Sequence, residues 1–255
     1  MPGLLNYLSD KTGYLLDELF AFISAPRCPI CDSILEDIRS ALCPVCDSNL
    51  TFIGDGPVCL FCRSPKAIGC GCQDGRKYKI PELYYWSTYT DNIRELIHQF
   101  KFDGQLKIGE YLIRKALAAL AERIGETGLD LAIPIPMLAR DKRKRTYNQT
   151  ELIADIVARN LGISSGSNAL KKVRKTRLQA KLGRDERWGN IKDAFTVESS
   201  DNIRGRAILL VDDIVTTGAT SWEAAKALYA AGAKSVSVFA IASSHLDDDI
   251  DRGLA

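Results

Sequence analysis

The sequence lacks any apolar run of the roughly 18 residues that a membrane-spanning helix requires, so no spanning segment is expected. A secretory leader is not expected either. The N-terminal MPGLLNYLSDKTGYLLDELFAFI carries Asp10, Asp17 and Glu18 where a leader would be basic and then apolar. Both absences predict a cytoplasmic protein. Net charge is small, +2 over 255 residues, which excludes a uniformly basic or acidic chain. The charge is nevertheless uneven: residues 137–192 hold 15 Lys and Arg against 5 Asp and Glu, so one segment suits anions while the remainder is acidic. Histidine is scarce. His98 falls on an amphipathic helical pattern and His245 in the acidic tail HLDDDIDRGLA, so neither is expected to ligate a metal.

No cysteine lies outside residues 28–72, and all eight fall there in four close pairs: Cys28/Cys31, Cys43/Cys46, Cys59/Cys62 and Cys70/Cys72. Two thiolates separated by two residues in a tight turn can face one tetrahedral ion with bonds of about 2.3 Å, and two such turns complete a four-thiolate site. A cytoplasmic chain is kept reduced, which argues against a disulfide framework. The expectation is therefore two structural zinc ions, with no coordination position open for catalysis. Sequential pairing and an interleaved cross-brace use the same ligands, and both satisfy the spacing. A redox role for the CxxC pairs is weaker, because no βαβ pattern surrounds them.

Beyond the cysteines, strand and helix patterns alternate. LDLAIPIP (129–136) reads as a short strand. NQTELIADIVARNLG reads as a helix that opens on an Asn148-x-x-Glu151 capping pattern and closes at Gly162. NALKKV is a candidate strand, RAILLVDDIV a buried one, TSWEAAKALYAAG a helix, and KSVSVFAIAS the last strand. Such alternation predicts an α/β fold with an open, mostly parallel sheet, and in such sheets ligands bind at the carboxyl ends of the strands.

Asp212 and Asp213 fall where a buried strand hands over to a helix, directly before Thr216, Thr217, Gly218, Ala219 and Thr220. Backbone N–H groups and hydroxyls of such a turn face a phosphate at a helix N-terminus. Two carboxylates repel a bare phosphate, so the ligand must also offer hydroxyl donors or a divalent cation. A metal-bound sugar phosphate offers both.

LLVDDIVTTGAT resembles the 5-phosphoribosyl-1-pyrophosphate (PRPP) motif of type I phosphoribosyltransferases. The chain as a whole, over about residues 26–243, is similar to the ComF/GntX family of competence-related proteins, in which a zinc ribbon precedes such a domain. IPIP, RTYNQTELIA and RKTRLQAKLGRDERWGNIKDAF carry the rest of the likeness, through Arg174, Thr176, Gln179, Leu182, Arg187, Asn190 and Phe195. Thr146 departs from the family, which more often has glycine there. The resemblance implies that Asp212 and Asp213 bind the ribose 2′- and 3′-hydroxyls and that residues 216–220 cradle the 5′-phosphate. Mg²⁺ accompanies PRPP. Arg143 and Arg145 are candidates for the pyrophosphate side, and the segment from Arg174 to Phe195 is expected to form a hood, with Arg177, Arg184 and Arg187 available to a polyanion. Trp188 suits packing better than base stacking.

Four segments are thus expected: an N-terminal helical segment (1–25), a double zinc-ribbon module (26–80), a phosphoribosyltransferase-like domain (81–245) and an acidic tail (246–255). The expected function is PRPP binding and Mg²⁺-dependent phosphoribosyl transfer, linked through the family to DNA uptake, natural transformation and the uptake-machinery proteins. Two alternatives use the same fold: a non-catalytic module that binds single-stranded DNA, and a PRPP-responsive regulator.

Overall fold

The computed structural model describes residues 25–50, 56–138, 148–174 and 184–244, with backbone alone for 184–187. The acidic tail and nearly all of the expected N-terminal helical segment lie outside those residues. The chain divides into two compact units, Met1–Thr51 and Phe52–Ala255.

In the first unit, the turn that carries Cys28 and Cys31 closes on itself. The Cys28 N–H donates to the Ser33 carbonyl at 2.8 Å and the Asp32 N–H to the Cys28 carbonyl at 2.9 Å. Helix α1 (Pro44–Ser48) begins with proline, whose fixed φ suits a first helical position, and the Cys43 sulfur caps it by accepting the Cys46 N–H. Leu35, Leu42, Cys28, Cys43 and Cys46 form its buried interior.

The second unit is a six-stranded sheet in the order β1-β2-β8-β7-β3-β4. Its strands are β1 (Val58–Cys59), β2 (Glu82–Thr88), β3 (Leu131–Pro134), β4 (Ser164–Ser165), β7 (Ala207–Val215) and β8 (Ser235–Ser243). All neighbours are parallel except β1, which runs antiparallel to β2. Crossover helices connect them: α2 (Asp91–Phe102) and α3 (Leu106–Gly125) after β2, α4 (Gln149–Leu161) after β3, and α6 (Ala219–Ala230) after β7. The remaining pieces are helix α5 (Arg184–Ile191) and a separate antiparallel ribbon of β5 (Leu170–Lys172) and β6 (Phe195–Val197). This is the expected α/β class, a mostly parallel open sheet.

Side chains alternate across a strand, so each strand serves two interfaces. Leu83 and Tyr85, Ile133 and Ile135, Ile208 and Leu210, and Val236 and Val238 pack with Trp222, Ala224, Ala225 and Leu228 of α6. The intervening residues of β2, β3 and β7 meet α3 and α4. Both faces are covered, which explains why β7 and β8 read as near-continuous apolar runs.

Most elements fall where the sequence places them, with differences that have physical causes. NALKKV does form β5, but in the ribbon and not in the main sheet. The helix 149–161 starts and stops as expected, with Gly162 left-handed at φ +67, yet Asn148 makes no capping bond from its side chain. Instead its side-chain oxygen lies 2.8 Å from the Thr150 hydroxyl, which donates to the Ile135 carbonyl. The division between units falls between the two cysteine tetrads, not at residue 80, because β1 carries Cys59 into the sheet edge.

Helices α2 and α3 cross where Gly109 faces Phe100. A Cβ at residue 109 would stand 2.2 Å from the Phe100 ring, which is fully buried. Alanine gains about 1 kcal/mol of helix propensity over glycine, but overpacking a closed core costs about 1–3 kcal/mol. Gly109→Ala should therefore lower stability by up to about 2 kcal/mol, read as a reduced urea midpoint at unchanged slope.

Candidate functional site

The carboxyl edge of the sheet gathers the ends of β2, β3, β7 and β8. The two acids lie in β7 itself, which continues to Val215. Asp212 pairs across to Ala240 of β8, and Ile214 to Ala242. Alternation turns Asp212 to the α6 side and Asp213 to the side of α2. Both are half-buried.

Asp213 has a direct counter-ion: Lys101 Nζ of α2 lies 2.7 Å from its Oδ2, with both side chains less than one-fifth exposed. Gln149 fixes the backbone there by donating its side-chain amide to the Lys101 carbonyl at 2.8 Å. Asp212 accepts the Asp213 N–H at 2.9 Å. Burial pushes its carboxyl up to about 8; the Asp213 charge adds to this, while Lys101, that N–H and Lys172 oppose it. The pair thus splits into one lysine-bound carboxylate and one that holds its proton near neutrality.

The turn that follows is tight. Thr217 is buried, its hydroxyl oxygen 3.3 Å from the Ala219 N–H that donates to it. Gly218 is left-handed at φ +79 and caps α6. A Cβ there would stand 2.8 Å from the Leu60 carbonyl, so glycine is required by both conformation and space. Ala219 and Thr220 open α6, whose first-turn N–H groups have no acceptor within the helix. Residues 212, 213 and 216–220 are therefore brought together as expected, in a geometry able to receive a phosphate beside hydroxyl acceptors.

The other expected residues divide differently. Arg143, Arg145, Thr146 and Arg177 lie outside the described residues, and Arg184 and Arg187 are described only as backbone on α5. Arg174 is described: it donates to the Asn190 carbonyl at 2.9 Å and so ties the start of the hood segment to its end. The Asp193 N–H donates to the buried Glu223 of α6 at 3.1 Å. Trp188 packs edge-on against Phe61, centroids 5.3 Å apart. His98 is exposed, tilted against Phe102 and 3.9 Å from Asp103.

Lys101 is the member of this edge that sequence reasoning missed. A signal was present: Ile93, Leu96, Ile97 and Phe100 mark the buried stripe of α2, and residue 101 falls one turn beyond Ile97, at the border of that stripe.

The cysteines gather sequentially. Cys28, Cys31, Cys43 and Cys46 form one group and Cys59, Cys62, Cys70 and Cys72 the other, each with its sulfurs within 4.8 Å of one another. A tetrahedron of 2.3 Å bonds has edges of about 3.8 Å, and Cys31 and Cys43 stand 3.6 Å apart. Each group could hold one metal ion.

Residues 149–251 match the phosphoribosyl transferase domain family. The chain is 34% identical over 158 residues to DNA utilization protein YhgH of Salmonella typhi, spanning 61% of this chain and 69% of that protein. Competence protein F of Haemophilus influenzae is likewise 34% identical over 158 residues, 60% of this chain and 69% of that one. The chain belongs to the ComF family. Its likeness to Competence protein ComFC of Bacillus subtilis extends further, over 198 residues at 25% identity, covering 74% of this chain and 79% of that protein. A purine phosphoribosyltransferase of Pyrococcus horikoshii aligns in structure with 53% of this chain and 85% of its own, at 15% identity and a TM-score of 0.35.

Asp212 generates a pH dependence. An unfolded chain ionises it near 3.8, whereas the folded protein keeps the proton to about 8. The folded state thus binds the extra proton, and stability falls as pH rises between those values, by at most about 1.4 kcal/mol per unit and less in proportion to its exposure. Asp212→Asn keeps an acceptor for the Asp213 N–H and removes that slope. Urea midpoints at pH 5, 7 and 9 should show the asparagine variant gaining on the wild type up to about pH 8 and no further.

Proposed function

We propose that the carboxyl edge of β7 binds the ribose 5-phosphate portion of PRPP together with Mg²⁺, and that this ComF-family protein acts as a phosphoribosyltransferase-like component of DNA uptake and natural transformation. The observation that carries the reading is the placing of two half-buried carboxylates near the end of β7 and a helix N-terminus just after it. Asp212 and Asp213 are assigned to the ribose 2′- and 3′-hydroxyls, residues 216–220 to the 5′-phosphate, and Arg143 and Arg145 to the pyrophosphate. Similarity to proteins named for DNA utilization and for competence supports the DNA-uptake part. Zinc is the metal assigned to both cysteine groups, in a structural role, since four thiolates leave no open position.

Transfer from PRPP develops positive charge at the anomeric carbon as pyrophosphate leaves. Carboxylates beside the ribose stabilise that charge more in the transition state than in the bound donor, which favours catalysis by this site. Mg²⁺, when bound, supplies charge neutralisation to the departing pyrophosphate. Lys101 holds the Asp213 carboxylate in place until hydroxyls arrive.

Calorimetric titration of PRPP with MgCl₂ tests this directly. Each of Asp212→Asn and Asp213→Asn should weaken binding by about tenfold or more, the worth of a hydrogen bond to a charged group. Arg143→Ala with Arg145→Ala should weaken PRPP more than ribose 5-phosphate, which lacks the pyrophosphate. Equal affinity for PRPP in the wild type and a folded Asp212→Asn/Asp213→Asn protein removes the ribose assignment.

A second reading, binding of single-stranded DNA, is favoured by the basic surplus of residues 137–192. Affinity for an oligonucleotide should then fall with salt, at about 0.7 in log–log slope per phosphate neutralised. Arg177→Ala and Arg184→Ala should flatten that slope and leave PRPP affinity unchanged. A salt-independent interaction, or none, removes this reading.

A further inference from the structure

The two cysteine turns that open each tetrad are built alike. In both, the first cysteine donates its N–H to the carbonyl of a serine five residues on, and the residue after the second cysteine returns its N–H to the first cysteine's carbonyl. In both, that following residue is left-handed: Asp32 at φ 61 and Arg63 at φ 59. Glycine, asparagine and aspartate tolerate this conformation best. Asp32 obeys the preference, with a side chain 80% exposed and paired to Arg27. Arg63 does not, and it is 9% exposed.

Its guanidinium is spent on the strand-to-helix turn. Nε donates to the Ser243 hydroxyl at 2.8 Å, and that hydroxyl in turn donates to the Val215 carbonyl at 3.0 Å. The two terminal nitrogens donate to the carbonyls of Thr216 and of Leu60. The Leu60 carbonyl is the atom against which Gly218 is pressed. Phe61, between them in sequence, meets Trp222 of α6 edge-on at 5.4 Å and Trp188 of α5 at 5.3 Å. Arg63 and Leu60, one beside each of Cys62 and Cys59, thus hold residues 215–218 at three points: the Val215 carbonyl through Ser243, the Thr216 carbonyl, and Gly218 against the Leu60 carbonyl.

We propose that this second cysteine turn is a metal-held brace for the phosphate loop, with Arg63 as its positioning residue, so that loss of the ion from Cys59, Cys62, Cys70 and Cys72 lowers affinity for a ribose 5-phosphate group. The tetrad fixes the path of the chain on either side of Leu60 and Phe61, and a left-handed arginine stays buried only while that path is fixed. The first tetrad has no corresponding residue. In its affinity arm this rests on the ribose-phosphate reading given above; in its structural arm it does not.

Four variants test it: Arg63→Ala, Arg63→Lys, Cys59→Ser/Cys62→Ser, and Cys28→Ser/Cys31→Ser. Each is assayed for bound zinc, for amide hydrogen exchange of residues 214–221 without ligand, and for ribose 5-phosphate affinity. Arg63→Ala should keep two zinc ions, yet exchange faster over 214–221 and bind ribose 5-phosphate about tenfold more weakly. Arg63→Lys, which retains one donor but no fork, should recover part of both losses. Cys59→Ser/Cys62→Ser should lose one ion and show both effects; Cys28→Ser/Cys31→Ser should lose one ion and show neither. Should the former fail to fold, the two Arg63 variants decide. Unchanged exchange and affinity in a two-zinc Arg63→Ala protein overturns the brace. Faster exchange in a chain whose wild type binds no ribose phosphate upholds the brace and overturns the ribose-phosphate reading instead.

Discussion

Two adjacent carboxylates at the half-buried end of a central strand repel each other, and the carboxyl edge is organised by that repulsion. Asp213 is relieved by Lys101 at 2.7 Å, a contact that exists only because α2 leaves β2 and returns its last turn to the same edge. Asp212, on the opposite face, keeps a proton to about 8 because burial, and then the Asp213 charge, outweigh the opposing pull of Lys101, the Asp213 N–H and Lys172. The strand's own order follows from the same constraint. Charges cannot lie among Ile208, Leu209, Leu210 and Val211, which are fully buried, so they appear where the covering helices end.

The proton on Asp212 separates two states of the edge. With it, the pair carries one negative charge, matched by Lys101. Without it, the pair carries two and attracts hydroxyl donors or a cation. A ligand that supplies these therefore draws the proton off, so binding and proton release are linked. The burial that costs stability at high pH also prepares the acceptors.

Much of this was legible in the sequence, and the reasons can be read residue by residue. β7, α6 and β8 announce themselves because a strand covered on both faces must be apolar throughout, and Gly218 is dictated by a left-handed turn against Leu60. The acids and the threonines lie in one continuous stretch, so proximity in sequence was proximity in space. β2 was harder to read, since ELYYWST mixes polar and aromatic residues at a helix boundary; only pairing with β8 identifies it. The sequence marks Lys101 at the border of a buried stripe, but neither it nor Arg63 could be read as a partner of the turn, because 112 and 153 residues separate Lys101 from Asp213 and Arg63 from Thr216. Side-chain reach of that kind is set by packing and leaves no local pattern. The ligand pairing of the cysteines was undecided for a similar reason: spacing fixes each turn, and tertiary contact chooses which turns meet.

The two tetrads share a local design but not a role in stability. Among the described residues of its unit, few side chains around the first tetrad are buried, chiefly Leu35, Leu42 and its own cysteines. Residues 25–50 by themselves bury too little apolar surface to offset chain entropy, so an ion in the proposed structural role would supply what packing among them does not. The second sits against a complete hydrophobic core, with Leu60 fully buried and Phe61 nearly so. That core would stand without a cross-link of its own, since the parallel strands and their helices supply the burial. An ion there would therefore add little to the existence of the fold and more to its detail, at the edge where the two carboxylates meet the turn of residues 216–220.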